Sequence, residues 1–363
     1  MARRVWPGES CLPAGIVAVV DSCAVDAFIA GLPKAELHVH LVGSASVPTV
    51  LELARRHPDG GVPTDEMALT DFYAFTDFAH FIDVYIAVNS LVRTAEDIEA
   101  MAVGVLGDIA RQNVRYVELT VTPDSHLMMG IEPDAVAEAL VRARTTARER
   151  LGLEVGWIFD IPGENGLPSG ERTIDWVERW APEGSVGFGL GGPEIGVPRA
   201  QFAGVFARAR ALGLASVPHA GETTGPQTVR DAVELLGAQR IGHGITAAGD
   251  PALMADLAAR GIALEVCPTS NIRTRAVPSL AEHPWRTLVD AGVTVTVNSD
   301  DPGMFATTLL AEYRVVHDVF GVSPLGLAEL ARTALDVSYA PGDVKARIRA
   351  EIDAYAFEHP LTA

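Results

Sequence analysis

The sequence predicts an α/β fold, a (β/α)8 TIM barrel with a helical insertion after its first strand–helix unit and with C-terminal closing helices. Three observations lead there. Eight short runs rich in Val, Ile and Leu recur along the chain, as strands buried on both faces do. A helical stretch follows each run, and alternating β and α elements build parallel sheets. Several runs end in histidine or aspartate, where barrel enzymes place their chemistry.

The expected strands are 36–41, 114–121, 154–160, 186–190, 215–219, 240–243, 262–267 and 293–299. The expected helices are 48–57, 96–111, 133–150, 171–180, 199–212, 226–236, 251–260 and 278–291. A tail and a first helix near 22–30 precede them. The segment 62–93 is read as a helical flap: Phe72, Phe75, Phe78 and Phe81 are spaced by three, as on one helix face. Such a face packs on the barrel or covers its mouth. Residues 305–363 carry amphipathic spacing in 326–335 and 343–355 and read as closing helices of the same domain. The whole chain, 1–363, is therefore expected to be a single unit.

The 363 residues suit one barrel of about 250 residues plus insertions. Hydrophobic residues make up 48% and charged residues 21%, enough for a large core. The net charge of −19 disfavours a nucleic-acid partner. Cys11, Cys23 and Cys267 are too few for a disulfide framework, so a cytoplasmic location is expected. No apolar run approaches the roughly 20 residues of a membrane span, and the N-terminus reads as a non-secretory tail. A homo-oligomer is left open.

The site follows from the strand ends. His38 and His40 are two apart on one strand and share a side. His219 ends the fifth run, His243 the sixth, and Asp300 and Asp301 follow the eighth. Zinc favours three histidines and one carboxylate with room for water, which His38, His40, His219 and Asp300 supply. A lysine bridging two metals is not available: Lys34 precedes the first expected strand and Lys345 is near the C-terminus. One metal is the simpler reading. It would lower the pKa of its water toward about 7.

The segments LPKAELHVHLVGS, YVEL, VPHAGET, RIGHG, EVCPTSN and NSDDPGMF, in this order from about 32 to 320, resemble the adenosine deaminase family of metal-dependent amidohydrolases. The resemblance implies a mononuclear zinc barrel that deaminates 6-aminopurines. It assigns the metal to the same four residues. By position it implies that Glu222 protonates purine N1 from a dry pocket. His243 would orient the hydroxide and take its proton. Asp301 would bond N7, and Gly192 would offer its backbone N–H to N3. Glu265 and Ser270 would support them.

Three features depart from the family pattern. Val42 stands where the family usually has an acid for the ribose 5′-hydroxyl. A buried hydroxyl facing Val42 loses about 1–3 kcal/mol. Arg273 and Arg275 stand where bacterial relatives commonly have glutamine and glycine, and suit an anionic group. Pro193 replaces an aspartate after Gly192. The first two departures together fit 6-amino-6-deoxyfutalosine of menaquinone biosynthesis, which has an apolar benzoate extension in place of the 5′-hydroxyl. Phe75 and Phe78 of the flap would cover its ring. Adenosine, 5′-deoxyadenosine and 5′-methylthioadenosine are the alternative substrates. A catalytically silent binding barrel is the alternative of another class, and intact ligands argue against it.

Overall fold

The computed structural model describes residues 22–76 and 78–360, without the side chains of Phe78 and Ala79. The expected N-terminal tail, Cys11 and the covering role of Phe78 fall outside the described residues.

Eight parallel strands lie in sequential order. They are β1 Lys34–His40, β2 Val114–Val121, β3 Glu154–Pro162, β4 Ser185–Gly191, β5 Ala215–Ala220, β6 Arg240–His243, β7 Ala263–Val266 and β8 Val295–Val297. All eight expected strands are present, and this is the (β/α)8 barrel that the sequence predicts. The first starts earlier than expected, so Lys34 opens β1 instead of preceding it. Its ammonium donates to the carbonyls of Ile29 and Leu32 at the end of the barrel away from the mouth.

The barrel closes beyond β8. Asp300 pairs with Val39 of β1. The His40 N–H donates to the Asp300 carbonyl at 2.9 Å, and the Asp300 N–H donates to the His38 carbonyl at 3.1 Å. The closing rung thus runs through the residues singled out for metal binding.

Proline starts many of the helices, at the first-turn position where its missing N–H costs nothing. Examples are Pro133–Thr146, Pro226–Glu234 and Pro251–Arg260. Helix Ala95–Ala110 begins with a reciprocal capping box between Thr94 and Asp97. Short helices Pro123–Met128, Pro268–Arg273 and Pro302–Phe305 follow β2, β7 and β8, and periodicity over so few residues does not reveal them.

Two expectations need correction. The stretch 278–291 is not one helix. A short 3₁₀ turn, Leu280–Glu282, is separated from helix Trp285–Asp290 by Pro284, which cannot donate to a continuing helical ladder. The Phe spacing in 72–81 does not mark one continuous face either. Helix Glu66–Phe72 ends at Tyr73, whose hydroxyl donates to the Ala45 carbonyl, and a second helix runs Phe78–Asn89. Phe75 lies in the connection, 5.3 Å from the Phe81 ring and 6.0 Å from Phe305 beyond β8.

Residues 309–358 form three helices, of which Pro324–Val337 packs against β1 and β8. One buried apolar cluster extends from Val25 to Ile352. No helix among the described residues is long and apolar enough to cross a membrane.

Candidate metal centre and active site

Strand alternation turns His38 and His40 into the barrel mouth, with ring centroids 5.2 Å apart. His219 at the end of β5 lies 4.6 Å from His38 and 5.0 Å from His40, centroid to centroid. Asp300 Oδ1 stands 3.4 Å from His38 Nε2 and 3.3 Å from His40 Nε2, while His40 Nε2 and His219 Nε2 are 3.1 Å apart. The structure therefore gathers all four residues of the expected ligand set. His243 reaches the same centre: ligand atoms of His38, His219, His243 and Asp300 lie within 4.8 Å of one another.

The donor chemistry fits a metal cation. His38 Nδ1 donates to Glu265 Oε2 at 2.9 Å, which leaves the lone pair on Nε2. That Nε2 is buried and has no hydrogen-bond partner. Burial lowers the His40 pKa to about 4 and His219 well below the usual value, so both stay neutral and able to donate a lone pair. Burial works against the Asp300 carboxylate, but the His38 ring beside it and the other surrounding imidazoles outweigh burial and hold its pKa low. Ser270 Oγ donates to the other Asp300 oxygen at 2.6 Å.

A hydrogen-bond relay separates His243 from the other imidazoles. The Trp285 N–H donates to His283 Nδ1 at 3.1 Å. That nitrogen must accept, so His283 Nε2 carries the proton and donates to Asn271 Oδ1 at 3.1 Å. Asn271 then directs its amide N–H to His243 Nδ1, 3.2 Å away. With Nδ1 accepting, His243 presents an Nε2–H that faces Glu222 at 3.6 Å and Asp300 at 3.8 Å. An N–H cannot offer a lone pair. The relay favours His40 over His243 as ligand, and makes His243 a donor toward the site.

Glu222 projects from the loop after β5. Burial raises its pKa, and Thr274 Oγ1 donates to its Oε1 at 2.8 Å. Asp301 is raised well above the usual carboxylate range by burial and then by the charge of Asp300. A Cβ on Gly43 would lie 1.7 Å from the Asp301 carboxylate, so the glycine of the HLVG turn makes room for it. Gly192 has φ +76, and a Cβ there would meet Glu164 Oε2 at 2.3 Å. His243 and Asp300 also have positive φ, 61 and 66, which is uncommon for residues with a side chain.

Below the rings, a buried charge chain supports the centre. Arg240 donates to Glu265 Oε1 at 2.6 Å and to Glu118 Oε2. Its guanidinium lies 4.2 Å from the Tyr339 ring centroid. Arg240, Glu118, Asn271, His283 and Glu194 escape sequence reasoning. Four of them had a signal, since Glu118 lies in the YVEL segment, Arg240 opens RIGHG, Asn271 ends EVCPTSN and Glu194 follows Gly192 and Pro193.

Val42 is buried at the mouth and lines a narrow recess with Tyr85, Asn89, Thr120 and His126. Arg273 ends the short helix after β7 and Arg275 lies just beyond it; both are exposed, and Arg275 donates to the Thr76 carbonyl of the flap at 3.1 Å.

A parallel barrel with a histidine–aspartate centre and a buried acid beside it defines a metal-dependent hydrolytic deaminase. The chain matches the adenosine deaminase family over residues 33–355 and belongs to that family. It is 56% identical over 330 residues to the aminodeoxyfutalosine deaminase of Streptomyces avermitilis, covering 90% of this chain and 92% of that one. The adenine deaminase of Sphingopyxis alaskensis is 38% identical, over 91% of this chain and 96% of its own. Among solved structures, an amidohydrolase from Burkholderia ambifaria with bound Zn superposes with a TM-score of 0.86. It is 28% identical, over 96% of this chain and 98% of that one.

Proposed function

We propose that this chain deaminates 6-amino-6-deoxyfutalosine in menaquinone biosynthesis and uses zinc. The observation that carries the reading is Val42: an apolar, buried side chain stands in the HLVG turn where the resemblance implies an acid for a 5′-hydroxyl. A substrate whose 5′ position continues as carbon loses nothing there. The Streptomyces avermitilis relative bears the name of this activity.

His38, His40, His219 and Asp300 would hold the metal. When bound, it supplies the Lewis acidity that makes water nucleophilic at neutral pH. His243 Nε2–H would orient the attacking oxygen. Glu222, kept protonated by burial, would give its proton to N1 as oxygen bonds to C6. The C6–N bond then breaks as one proton of the water passes to the departing nitrogen and the other returns to Glu222, so ammonia leaves a 6-oxopurine that keeps the proton on N1. Asp301 would meet N7 and the Gly192 N–H would meet N3. Phe75 would close the apolar side, and Arg273 or Arg275 would pair with the tail carboxylate.

The test is kcat/KM on adenosine, 5′-deoxyadenosine, 5′-methylthioadenosine and aminodeoxyfutalosine with one preparation of known metal content. Aminodeoxyfutalosine should win by more than about a hundredfold, of which a lost 5′-hydroxyl partner supplies about 5- to 150-fold. Preference for adenosine would make Val42 a neutral change and the enzyme a salvage deaminase.

A further inference from the structure

The loop 221–224 carries Glu222 between β5 and helix Pro226–Glu234. Every backbone N–H in it points to one carboxylate. Glu194 receives Gly221 N–H at 2.5 Å, Glu222 N–H at 2.9 Å, Thr223 N–H at 2.6 Å and Thr224 N–H at 3.1 Å. The Thr223 hydroxyl adds a fifth bond at 3.2 Å. Successive N–H groups converging in this way form a nest, a concavity that binds an anion. Gly221 makes the turn, with φ +68. A Cβ there would lie 2.3 Å from Val229 Cγ2.

Glu194 belongs to a different loop. It follows Gly192 by two residues, beyond the end of β4, and is buried at 5% exposure. Arg199, equally buried, lies 3.6 Å from it and balances its charge. One carboxylate therefore ties the loop of Gly192 to the loop of Glu222. Five donors to one group exceed what a loop needs to satisfy its own polar atoms, and four of them are consecutive peptides around a single reactive side chain.

We propose that Glu194 is a positioning residue for the deamination. Its carboxylate sets where Glu222 stands relative to the Gly192 backbone, and so fixes the spacing of the two groups that meet the N1 and N3 edge of the purine. This rests on the roles proposed above for Glu222 and Gly192. It also gives Pro193 a place: it stiffens the short link between the N3 donor and the carboxylate that holds the N1 acid.

A double-mutant cycle tests it, using the metal-loaded enzyme and the purine nucleoside that the wild type turns over best. Glu194→Gln keeps the shape but turns an N–H donor toward the nest. In the Glu222 background, kcat should fall about 30-fold with KM changed less than about threefold. In the Glu222→Gln background the same substitution should cost less than about twofold, because the group it positions is gone. Equal losses in both backgrounds, or a loss confined to KM, would overturn the proposal. Should Glu194→Gln not fold, Thr223→Val serves: about threefold in kcat with Glu222 present and no loss without it, equal losses again overturning the proposal. A Glu222→Gln enzyme with kcat within about twofold of wild type would overturn both this role and the role of Glu222. A strong effect of Glu222→Gln with no effect of Glu194→Gln would overturn the positioning role alone.

Discussion

His38 Nδ1 and Glu265 Oε2 are 2.9 Å apart, both buried, and the second Glu265 oxygen is held by Arg240. The carboxylate fixes both the tautomer and the plane of a proposed metal ligand. Burial alone would push the Glu265 pKa up, but Arg240 and then His38 outweigh it, so the carboxylate stays ionised. Glu265→Gln should weaken zinc binding about 10- to 100-fold with the fold retained. Competition with a chromogenic chelator measures this, and unchanged affinity would remove Glu265 from the metal's support.

Arg240 sits at 2% side-chain exposure between two carboxylates, Glu118 and Glu265. Arg240→Met would leave both buried without a counter-ion. Breaking such a pair costs about 3–5 kcal/mol. The urea midpoint of the variant should fall accordingly. A shift below about 1 kcal/mol would show that the barrel interior tolerates the unpaired acids.

The relay from Trp285 through His283 and Asn271 predicts an effect on rate from a residue that never meets substrate. His283→Phe frees the Asn271 amide to rotate, and His243 loses its fixed tautomer. One lost hydrogen bond of about 1.4 kcal/mol corresponds to about tenfold in kcat. KM and zinc content should hold. Steady-state kinetics on metal-loaded protein decides it, and an unchanged kcat would break the relay argument.

Acid should destabilise the apo-protein before it denatures most carboxylate pairs. Burial lowers the pKa of His126 and of His283 from 6.5 to about 4. Between these values the unfolded chain binds protons that the folded chain refuses, so stability rises with pH across the window. The full stability is present above about 6.5 and is lost as pH falls toward about 4, by about 3 kcal/mol per histidine. Urea midpoints of chelator-treated protein from pH 7 to 4.5 should show the slope. His126→Phe should flatten it, and an unchanged slope would exclude His126 as a contributor.

Val42→Asp should restore a partner for a 5′-hydroxyl. The ratio of kcat/KM for adenosine over 5′-deoxyadenosine should rise about 5- to 150-fold. No rise would mean that Val42 does not face the 5′ position.

The barrel was legible because buried parallel strands read as apolar runs, and because histidine or aspartate at their ends breaks that pattern where it matters. His38, His40, His219 and Asp300 could be singled out without contacts. Of the residues that support them, Glu265 and Ser270 came only through the resemblance, and Arg240 and Asn271 were not singled out. Arg240 meets Glu118 across 122 positions of sequence, and Asn271 meets His243 across 28. Such pairs leave no local periodicity. The flap shows the opposite failure. Its Phe spacing mimicked one helix, while a tertiary bond from Tyr73 to Ala45 accompanies the break in it. Phe75 and Phe81 do converge, on Phe305, through packing that spacing cannot encode.

His243 and Asp300 hold left-handed backbone conformations that glycine would adopt without cost. Each therefore taxes the folded state, by about 1–3 kcal/mol for such strain. An idle barrel would gain stability by losing either side chain, since random substitution drifts toward whatever the fold prefers once activity is no longer selected. This chain still carries both. Replacing either by glycine should therefore relieve strain in the folded state while removing a side chain from the site.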